Sequence, residues 1–420
     1  MDRSDLRARS APAGGAHSDS NNAIDRRAAL VRLSGIVEAA ALGAPAGAVG
    51  DPREGLPPQA TAGGDRLRMI ATEEAFWIPE VAEAMRDVLK RGGTNLDLKL
   101  LSLICGPAEE VRTTDPAPSA PASSEANRDA VARKLLPQLL DFDAGRLADM
   151  DANGVDMHLL SLGIPGVQMF DTELAIALAR LCNDRLTEAV RRHPTRFAGL
   201  ACFAPQDPRA AAVEMERAIT TLKLNGFLVN SHTQGVYLDD PRCWPILEAA
   251  EALGAPLYLH PRAPSDGMAA PFQDYRMEGA IWGYAMEAGT HAVRLMLSGV
   301  LDRFPRLRIV LGHMGEALPF WLWRLDFMAG PGSRKALRNQ LKPSEYVQRN
   351  FAITTSGMED PVALRLCIEK IGVDHVMWAI DYPYQRTAPA VKFLQSALLS
   401  DQERAQIAFR NAERIFHLAT

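Results

Sequence analysis

The chain has 420 residues, of which 47% are hydrophobic and 23% charged, so it is long enough for one large enzyme domain or two ordinary ones. A formal net charge of −5 without a dense Lys/Arg stripe argues against a nucleic-acid partner. The five scattered cysteines contain no C-x-x-C pair, which argues against a disulfide framework and a thiolate zinc site. No run reaches the roughly 18 apolar residues of a membrane span, so we expect no membrane partner.

Residues 1–65 differ from the rest of the chain because they are rich in Ala, Gly, Ser and Pro. Within them Arg26 and Arg27 open an Ala/Leu/Gly stretch that ends in an A-x-A pattern at Ala48, which resembles a twin-arginine export signal. Charged residues inside the stretch count against such a signal. Two interpretations stay open: a periplasmic protein with a cleaved signal, or a cytoplasmic protein with a disordered tail.

From residue 66 to residue 420 short apolar runs alternate with longer amphipathic stretches, as in βαβ units. No Gly-rich phosphate loop follows the first apolar run, which favours a barrel over a doubly wound sheet. The pattern predicts one α/β domain, a (β/α)8 TIM-like barrel. Its eight strands are predicted at residues 67–74, 155–162, 197–204, 226–232, 256–260, 307–313, 348–356 and 375–381.

The connections between the predicted strands also carry signals. An insertion near 77–127 separates the first two strands, and residues 128–150 are predicted as one long helix. Asp207-Pro208 predicts a helix start after strand three, and a helix is predicted over 317–328 after strand six. Residues 400–420 have helical periodicity and are predicted to pack on the outside of the barrel.

Four predicted strands end in polar side chains, namely Glu73, His260, His313 and Asp381. Because the carboxyl ends of barrel strands meet at one mouth, we expect these side chains to converge. Glu73, His260 and Asp381 form a mixed oxygen and nitrogen ligand set with open positions, which is typical of a catalytic metal site. The set suits one Zn²⁺ or Mn²⁺ ion, and the sequence does not choose between them. Taken singly, each residue is equally compatible with a structural role.

The motifs at these strand ends resemble the amidohydrolase-related decarboxylases, the family of 5-carboxyvanillate, gamma-resorcylate and 2,3-dihydroxybenzoate decarboxylases. The segments that carry the resemblance are Thr72-Glu73-Glu74-Ala75-Phe76, Asn230-Ser231-His232-Thr233-Gln234-Gly235, Gly312-His313-Met314-Gly315-Glu316-Ala317-Leu318-Pro319 and Asp381-Tyr382-Pro383-Tyr384-Gln385. Where amidohydrolases carry His-x-His this chain has Glu73 and Ala75, and strand four has no lysine near its end. The resemblance implies a barrel of the metal-dependent hydrolase type that holds one ion.

The resemblance also implies a reaction: non-oxidative decarboxylation of an aromatic acid, similar to 5-carboxyvanillate, that has a hydroxyl ortho to its carboxylate. It implies that Glu73, His260 and Asp381 bind the metal and that Asp381 delivers a proton to the ring carbon. His313 and Glu316 would orient and tune Asp381. Two alternatives stay open: a metal-dependent amidohydrolase or lactonase that acts on a small carboxylated substrate, and a non-catalytic barrel that binds an aromatic acid.

Four residues are predicted to bind substrate. Arg324 resembles an arginine that the family places in a neighbouring subunit's active site, which implies a homodimer or homotetramer, although a solvated helix face explains it equally well. Arg262 is available for a second anionic group, and His232 and Tyr384 are candidates for lining the pocket. The family's substrate arginine after strand one corresponds to one of two residues, Arg128 or Arg133.

Overall fold

The structure is a computed structural model that describes residues 66–105 and 134–418. Residues 1–65 with the stretch that resembles an export signal, residues 106–127 of the insertion, and Arg128 and Arg133 lie outside the described residues. Among the described helices, none combines the length and the apolar character that a membrane crossing requires.

Eight parallel strands form the centre of the described fold, and the sequence predicted all of them. They are β1 Ile70–Phe76, β2 Met157–Leu162, β3 Phe197–Leu200, β4 Phe227–Asn230, β5 Leu257–His260, β6 Ile309–Leu311, β7 Phe351–Thr354 and β8 Val376–Met377. They pair in chain order as two sheets, β1-β2-β3 and β4-β5-β6-β7-β8. Every strand residue is buried, which explains why the strands read as continuous apolar runs.

Backbone hydrogen bonds join the two sheets at both of their edges. Between β3 and β4, Ala201 N donates to Gly226 O and Leu228 N donates to Ala201 O, both at 2.9 Å. At the other edge, Ala75 N on β1 donates to Tyr382 O, beyond β8, at 2.7 Å. The strands therefore form the predicted (β/α)8 barrel.

Helices follow the strands as the βαβ pattern requires. The described helices of eight or more residues are Pro79–Arg91, Asp97–Cys105, Ala144–Asn153, Thr172–Arg192, Pro208–Thr220, Trp244–Ala252, Gly283–Leu297, Leu318–Ala329, Pro343–Asn350, Pro361–Ile371 and Thr387–Ser396. Shorter ones are Ala270–Gln273, Val300–Arg303, His313–Glu316, Asp401–Ala405 and Asn411–Ile415. The predicted start at Asp207-Pro208 is confirmed, since the Asp207 carboxylate accepts hydrogen bonds from two backbone N–H groups of the first turn.

The prediction of one helix over 128–150 is wrong in its described part. Residues 134–140 are helical, and a second helix begins only at Ala144. The Asp141 carboxylate accepts hydrogen bonds from Asp143 N at 2.7 Å and from Arg146 N at 2.9 Å. A short carboxylate side chain thus replaces the helical backbone pairing at this point and breaks the helix.

The C-terminal segment closes the barrel instead of packing on its outer face, so that prediction is also wrong. The side chains that fill the barrel interior are Ile70, Met157, Leu159, Ala198, Leu200, Leu228, Tyr258, Val310, Ala352 and Met377, and they pack against Ala412, Phe416 and Leu418. Asn225, just before β4, donates its side-chain N–H to Phe416 O at 3.2 Å. The segment therefore buries its apolar side against the end of the barrel opposite the strand carboxyl ends.

Candidate metal centre and active site

The structure brings the three predicted metal ligands together at the carboxyl ends of the strands. Glu73 lies on β1, His260 is the last residue of β5, and Asp381 follows β8. One ligand atom of each residue lies within 4.8 Å of those of the other two. Glu73 and His260 are 187 positions apart in sequence, and His260 and Asp381 are 121 apart, so it is the barrel that makes them neighbours.

One oxygen of the Glu73 carboxylate is held by hydrogen bonds and the other is open. Oε2 accepts from the Tyr258 hydroxyl and, at 3.0 Å, from Thr354 Oγ1. Within the described residues, the buried Oε1 has no hydrogen-bond partner. Gly312 makes room for this carboxylate, because a Cβ there would lie 2.7 Å from Oε2. The buried carboxylate is thus oriented by one oxygen with the other left available.

His260 has the tautomer that a metal ligand needs. Its Nδ1 lies 2.8 Å from the Pro261 carbonyl oxygen, to which it donates, so Nε2 of the neutral ring carries a lone pair. Nε2 lies 3.2 Å from Glu73 Oε1. Two acceptor atoms at this separation are stable when a positive charge lies beside both. The donor set therefore fits a divalent cation, with Glu73 Oε1 and His260 Nε2 as two of its ligands.

Glu74 supports the third ligand through the backbone. Its carboxylate accepts hydrogen bonds from Ile380 N at 3.0 Å and from Tyr382 N at 2.9 Å, on either side of Asp381. Asp381 has a left-handed backbone conformation with φ of 74°. A non-glycine residue keeps this conformation only where its surroundings hold it. Glu74 thus fixes the backbone from which the Asp381 carboxylate projects.

His313 and Glu316 form the predicted pair beside the ligands. His313 Nδ1 lies 2.8 Å from Glu316 Oε1, and its Nε2 lies 3.8 Å from Glu73 Oε1. The turn that contains them is unusual, because His313 and Glu316 themselves have positive φ angles, and so do Met314 and Ala317. The left-handed turn directs His313 toward the ligands and Glu316 behind it.

Burial and neighbouring charges separate the pKa values of these groups. Burial alone would raise the pKa of Glu73, but the charge of His313 and the neighbouring His260 outweigh it and lower that pKa to about 2. Burial, with the Glu73 charge, raises the pKa of Asp381 to about 7. Burial would lower the pKa of His313, but Glu316 and Glu73 raise it to about 10. These shifts favour an ionised Glu73 and a charged His313, and they place the pKa of Asp381 where it can both hold and release a proton near neutral pH.

A cavity of about 380 Å³ opens onto the ligands, a volume that suits a small organic molecule. His260, His313, Asp381 and Tyr384 line its inner end. The buried Tyr384 hydroxyl has no hydrogen-bond partner among the described residues, and burial raises its pKa. The predicted substrate residue Tyr384 therefore offers a hydrogen bond to a bound molecule.

Three other predicted substrate residues do not line this cavity. The buried Arg262 guanidinium pairs with Asp97, so its charge is already balanced and it is not available for an anion. His232 is buried and donates from Nε2 to Ala263 O at 3.1 Å. Arg324 is exposed on the helix Leu318–Ala329 and stays a prediction for a neighbouring subunit.

Some residues of the site were absent from the predictions. Tyr258 precedes His260 by two positions, and the two-residue period of a strand places both on one face, so this signal was available. Thr354, at the end of β7, had a weaker signal of the same kind. The hydrogen bonds by which Glu74 supports the backbone at Asp381 could not be predicted from the sequence, because they depend on an irregular register between β1 and β2 at residues 71–74.

Comparison with known proteins reveals strong similarity to aromatic acid decarboxylases. The solved structure of 5-carboxyvanillate decarboxylase from Sphingomonas paucimobilis is 51% identical, with a TM-score of 0.76 over 84% of this chain and 100% of that one. The enzyme of the same name from Novosphingobium aromaticivorans, solved with manganese and 4-hydroxy-3-methoxy-5-nitrobenzoic acid, is 36% identical, with a TM-score of 0.75 over 84% of this chain and 96% of that one.

Sequence comparison agrees with these structures. Gamma-resorcylate decarboxylase from Polaromonas sp. is 36% identical over 301 residues, which cover 68% of this chain and 90% of that protein. The amidohydrolase family pattern matches residues 136–418. The chain therefore belongs to the amidohydrolase family, and within it to the branch of metal-dependent aromatic acid decarboxylases.

Proposed function

We propose that this protein is a carboxy-lyase that removes CO2, without oxidation and with one divalent metal ion, from an aromatic acid bearing a hydroxyl ortho to the departing carboxylate. The observation that carries the proposal is the half-buried acid Asp381 beside two further metal-ligating side chains at the end of a small-molecule cavity. The similarity to enzymes of this reaction supports it. A 5-carboxyvanillate-like acid is the proposed substrate.

Glu73, His260 and Asp381 would hold the metal, which is manganese in several of the solved relatives. A hydroxybenzoate carries adjacent oxygens on its hydroxyl and carboxylate, and a bound divalent ion supplies Lewis acidity for the negative charge on them. The protein's part is to orient the ligands and to keep a proton available. Tyr258, Thr354 and Glu74 orient the ligands, and the raised pKa of Asp381 beside Glu73 keeps the proton available.

The proton transfer runs from Asp381 to the ring carbon that carries the carboxylate. The O–H bond of the acid breaks, a C–H bond forms, and the ring loses its aromaticity. The C–C bond to the carboxylate then breaks, its electron pair returns to the ring, and CO2 leaves. His313, charged and hydrogen-bonded to Glu316, is a positioning residue whose positive charge favours ionisation of Asp381 as it gives up the proton.

We also propose that the protein is a homo-oligomer. Four aromatic residues on one helix, Phe320, Trp321, Trp323 and Phe327, are each at least 51% exposed, and Arg324 lies among them. Exposed clusters of aromatic residues with arginine are typical of protein interfaces. A second subunit on this surface would bury the aromatic residues and could bring Arg324 to the neighbouring site. Light scattering after size-exclusion chromatography tests it, and a monomer at micromolar concentration would contradict it.

The test of the reaction is CO2 release from 5-carboxyvanillate and 2,6-dihydroxybenzoate by the manganese-loaded protein and by its Asp381→Asn variant. We expect turnover by the wild type and a loss of about 10³-fold in kcat in the variant, because the amide cannot donate the acid proton. Asp374→Asn, an exposed aspartate distant from the ligands in the fold, is the matched control. Full activity of Asp381→Asn, or no CO2 release from either acid by the manganese-loaded wild type, would refute the proposal.

A further inference from the structure

The outer end of the active-site cavity is built by two segments that are not barrel strands. One is the helix Asp97–Cys105 from the insertion after β1, and the other is the stretch 276–284 after β5. Lys99, Arg276 and Glu278 bring the charged side chains to this end. Between them and the metal ligands the walls are mainly apolar, with Leu96, Leu100, Ile164, Ala263 and Tyr284.

The insertion helix is anchored close to the metal centre. The buried Asp97 carboxylate accepts hydrogen bonds from Arg262 Nε at 3.0 Å and from Ala263 N at 3.1 Å, directly after the ligand His260. Lys99 is two residues further along the helix. Its position relative to the metal ligands is therefore set by a buried ion pair and not by a free surface loop.

Within this outer end, Lys99 and Glu278 form an ion pair that bridges the two segments. Lys99 Nζ lies 3.0 Å from Glu278 Oε1, and the Glu278 side chain is only 9% exposed. Glu278 Oε2 is buried and has no hydrogen-bond partner among the described residues. Arg276 forms no ion pair within the part of the chain that the structure describes. Two cations beside one carboxylate give this end of the cavity a positive charge.

We infer that Lys99 and Arg276 bind an anionic group that the substrate retains after CO2 has left, and that Glu278 positions Lys99 for this contact. The inference rests on the proposed function. In that function, the departing carboxylate and its ortho hydroxyl bind at the metal end of the cavity, and the ring contacts the apolar walls. The substituent on the far side of the ring therefore meets the positively charged end, and a second carboxylate is the group that matches it.

The test compares a substrate that retains a carboxylate, 5-carboxyvanillate, with one that retains none, 2,6-dihydroxybenzoate. For Lys99→Met we expect KM for 5-carboxyvanillate to rise about tenfold with little change in kcat, because a charged hydrogen bond made equally in ground and transition states is lost. KM for 2,6-dihydroxybenzoate should not change. Arg276→Met should raise only the first KM, by about threefold, because Arg276 is exposed and has no buried carboxylate to position it among the described residues.

Two further variants separate charge from position. Lys90→Met removes a surface lysine that pairs with Asp87, and it should leave both KM values unchanged. Glu278→Gln keeps the shape but releases Lys99, and we expect a smaller rise in KM for 5-carboxyvanillate alone. Equal KM changes for the two substrates in Lys99→Met, or none for either, would overturn the inference.

Calorimetric binding of the product keeps this test separate from that of the reaction. Vanillate retains the carboxylate and 2-methoxyphenol lacks it, and neither measurement needs turnover. We expect the wild type to prefer vanillate and Lys99→Met to lose about tenfold of that preference. If neither substrate releases CO2 while this preference is observed, the proposed reaction fails and the anion site stands. If the wild type does not prefer vanillate, the anion site is refuted whatever the reaction.

Discussion

Two buried clusters of histidine and glutamate lie at the carboxyl ends of the barrel strands, and only one of them is built for a metal. The first is the metal centre around Glu73 and His260. The second, called here the Ser231 cluster, consists of Ser231, Tyr237, Glu287 and His291. The two clusters share residue types and burial, so the difference between them lies in how each polar atom is satisfied.

In the Ser231 cluster the protein itself satisfies the polar atoms. His291 Nε2 accepts from Leu238 N at 2.9 Å, which leaves Nδ1 to donate to Ser231 Oγ at 3.1 Å. The Ser231 hydroxyl donates to Glu287 Oε1 at 3.1 Å, and Tyr237 donates to Glu287 Oε2 at 3.2 Å. No ligand atom is left over for an ion. In the metal centre, by contrast, Glu73 Oε1 and His260 Nε2 face each other.

The electrostatics of the two clusters differ in the same way. Burial lowers the pKa of His291 to about 3 and raises that of Glu287, so burial shifts each group toward its neutral form. At the metal centre the pKa of His313 is raised and that of Glu73 is lowered, so both favour their charged forms. The metal site therefore differs from the Ser231 cluster in its unsatisfied ligand atoms and its retained charges, and not in its residue types.

The largest contrast is expected between Glu73→Gln and Glu287→Gln. Loss of the Glu73 carboxylate removes a charged ligand, so metal affinity should fall at least about 100-fold and activity with it. Glu287→Gln should keep its metal, because the Ser231 cluster has no open ligand atom. Metal titration followed by elemental analysis measures both. Unchanged metal affinity in Glu73→Gln, or equal losses of metal affinity in the two variants, would show that the two clusters do not differ in metal binding.

A smaller effect is expected for Glu316→Gln, which removes the charge behind His313. Since Glu316 helps to raise the pKa of His313 to about 10, the variant should lose the protonated imidazolium at lower pH. The alkaline limb of the kcat/KM profile should then move to lower pH, with a rate loss of about 10- to 100-fold. Glu287→Gln serves again as the control and should keep the wild-type profile. An unshifted limb in Glu316→Gln would show that Glu316 is only structural.

The smallest effect concerns the stability of the Ser231 cluster. The pKa of His291 is about 3 in the folded protein against 6.5 as its ordinary value, so below pH 6.5 the unfolded chain binds a proton that the folded one does not. The free energy of unfolding falls on acidification, and His291 contributes about 1.4 kcal/mol per pH unit to that fall.

His291→Asn removes this contribution. The variant should be less stable than the wild type at pH 7.5 by about 1–2 kcal/mol, because buried hydrogen bonds are lost. The difference should shrink as the pH falls toward 5, which urea unfolding at both values would measure. A difference that is constant with pH would mean that His291 is charged in the folded protein.

Much of the barrel and the main features of its metal centre could be predicted from the sequence. Buried parallel strands read as apolar runs, and all eight were located for this reason. Polar residues at the ends of those runs converge in any barrel, which brought Glu73, His260 and Asp381 together. The pair of His313 and Glu316 is local, three residues apart, and was therefore also readable.

Contacts between distant segments could be decided only by the tertiary structure. Arg262 appeared available for an anion until the fold placed Asp97 against it, 165 residues away in sequence. Glu74 supports Asp381 across 306 residues or more, through backbone groups that any residue type would supply. A sequence specifies which strands end in which side chains through local patterns, whereas the partner of each buried charge depends on loops whose paths only packing determines.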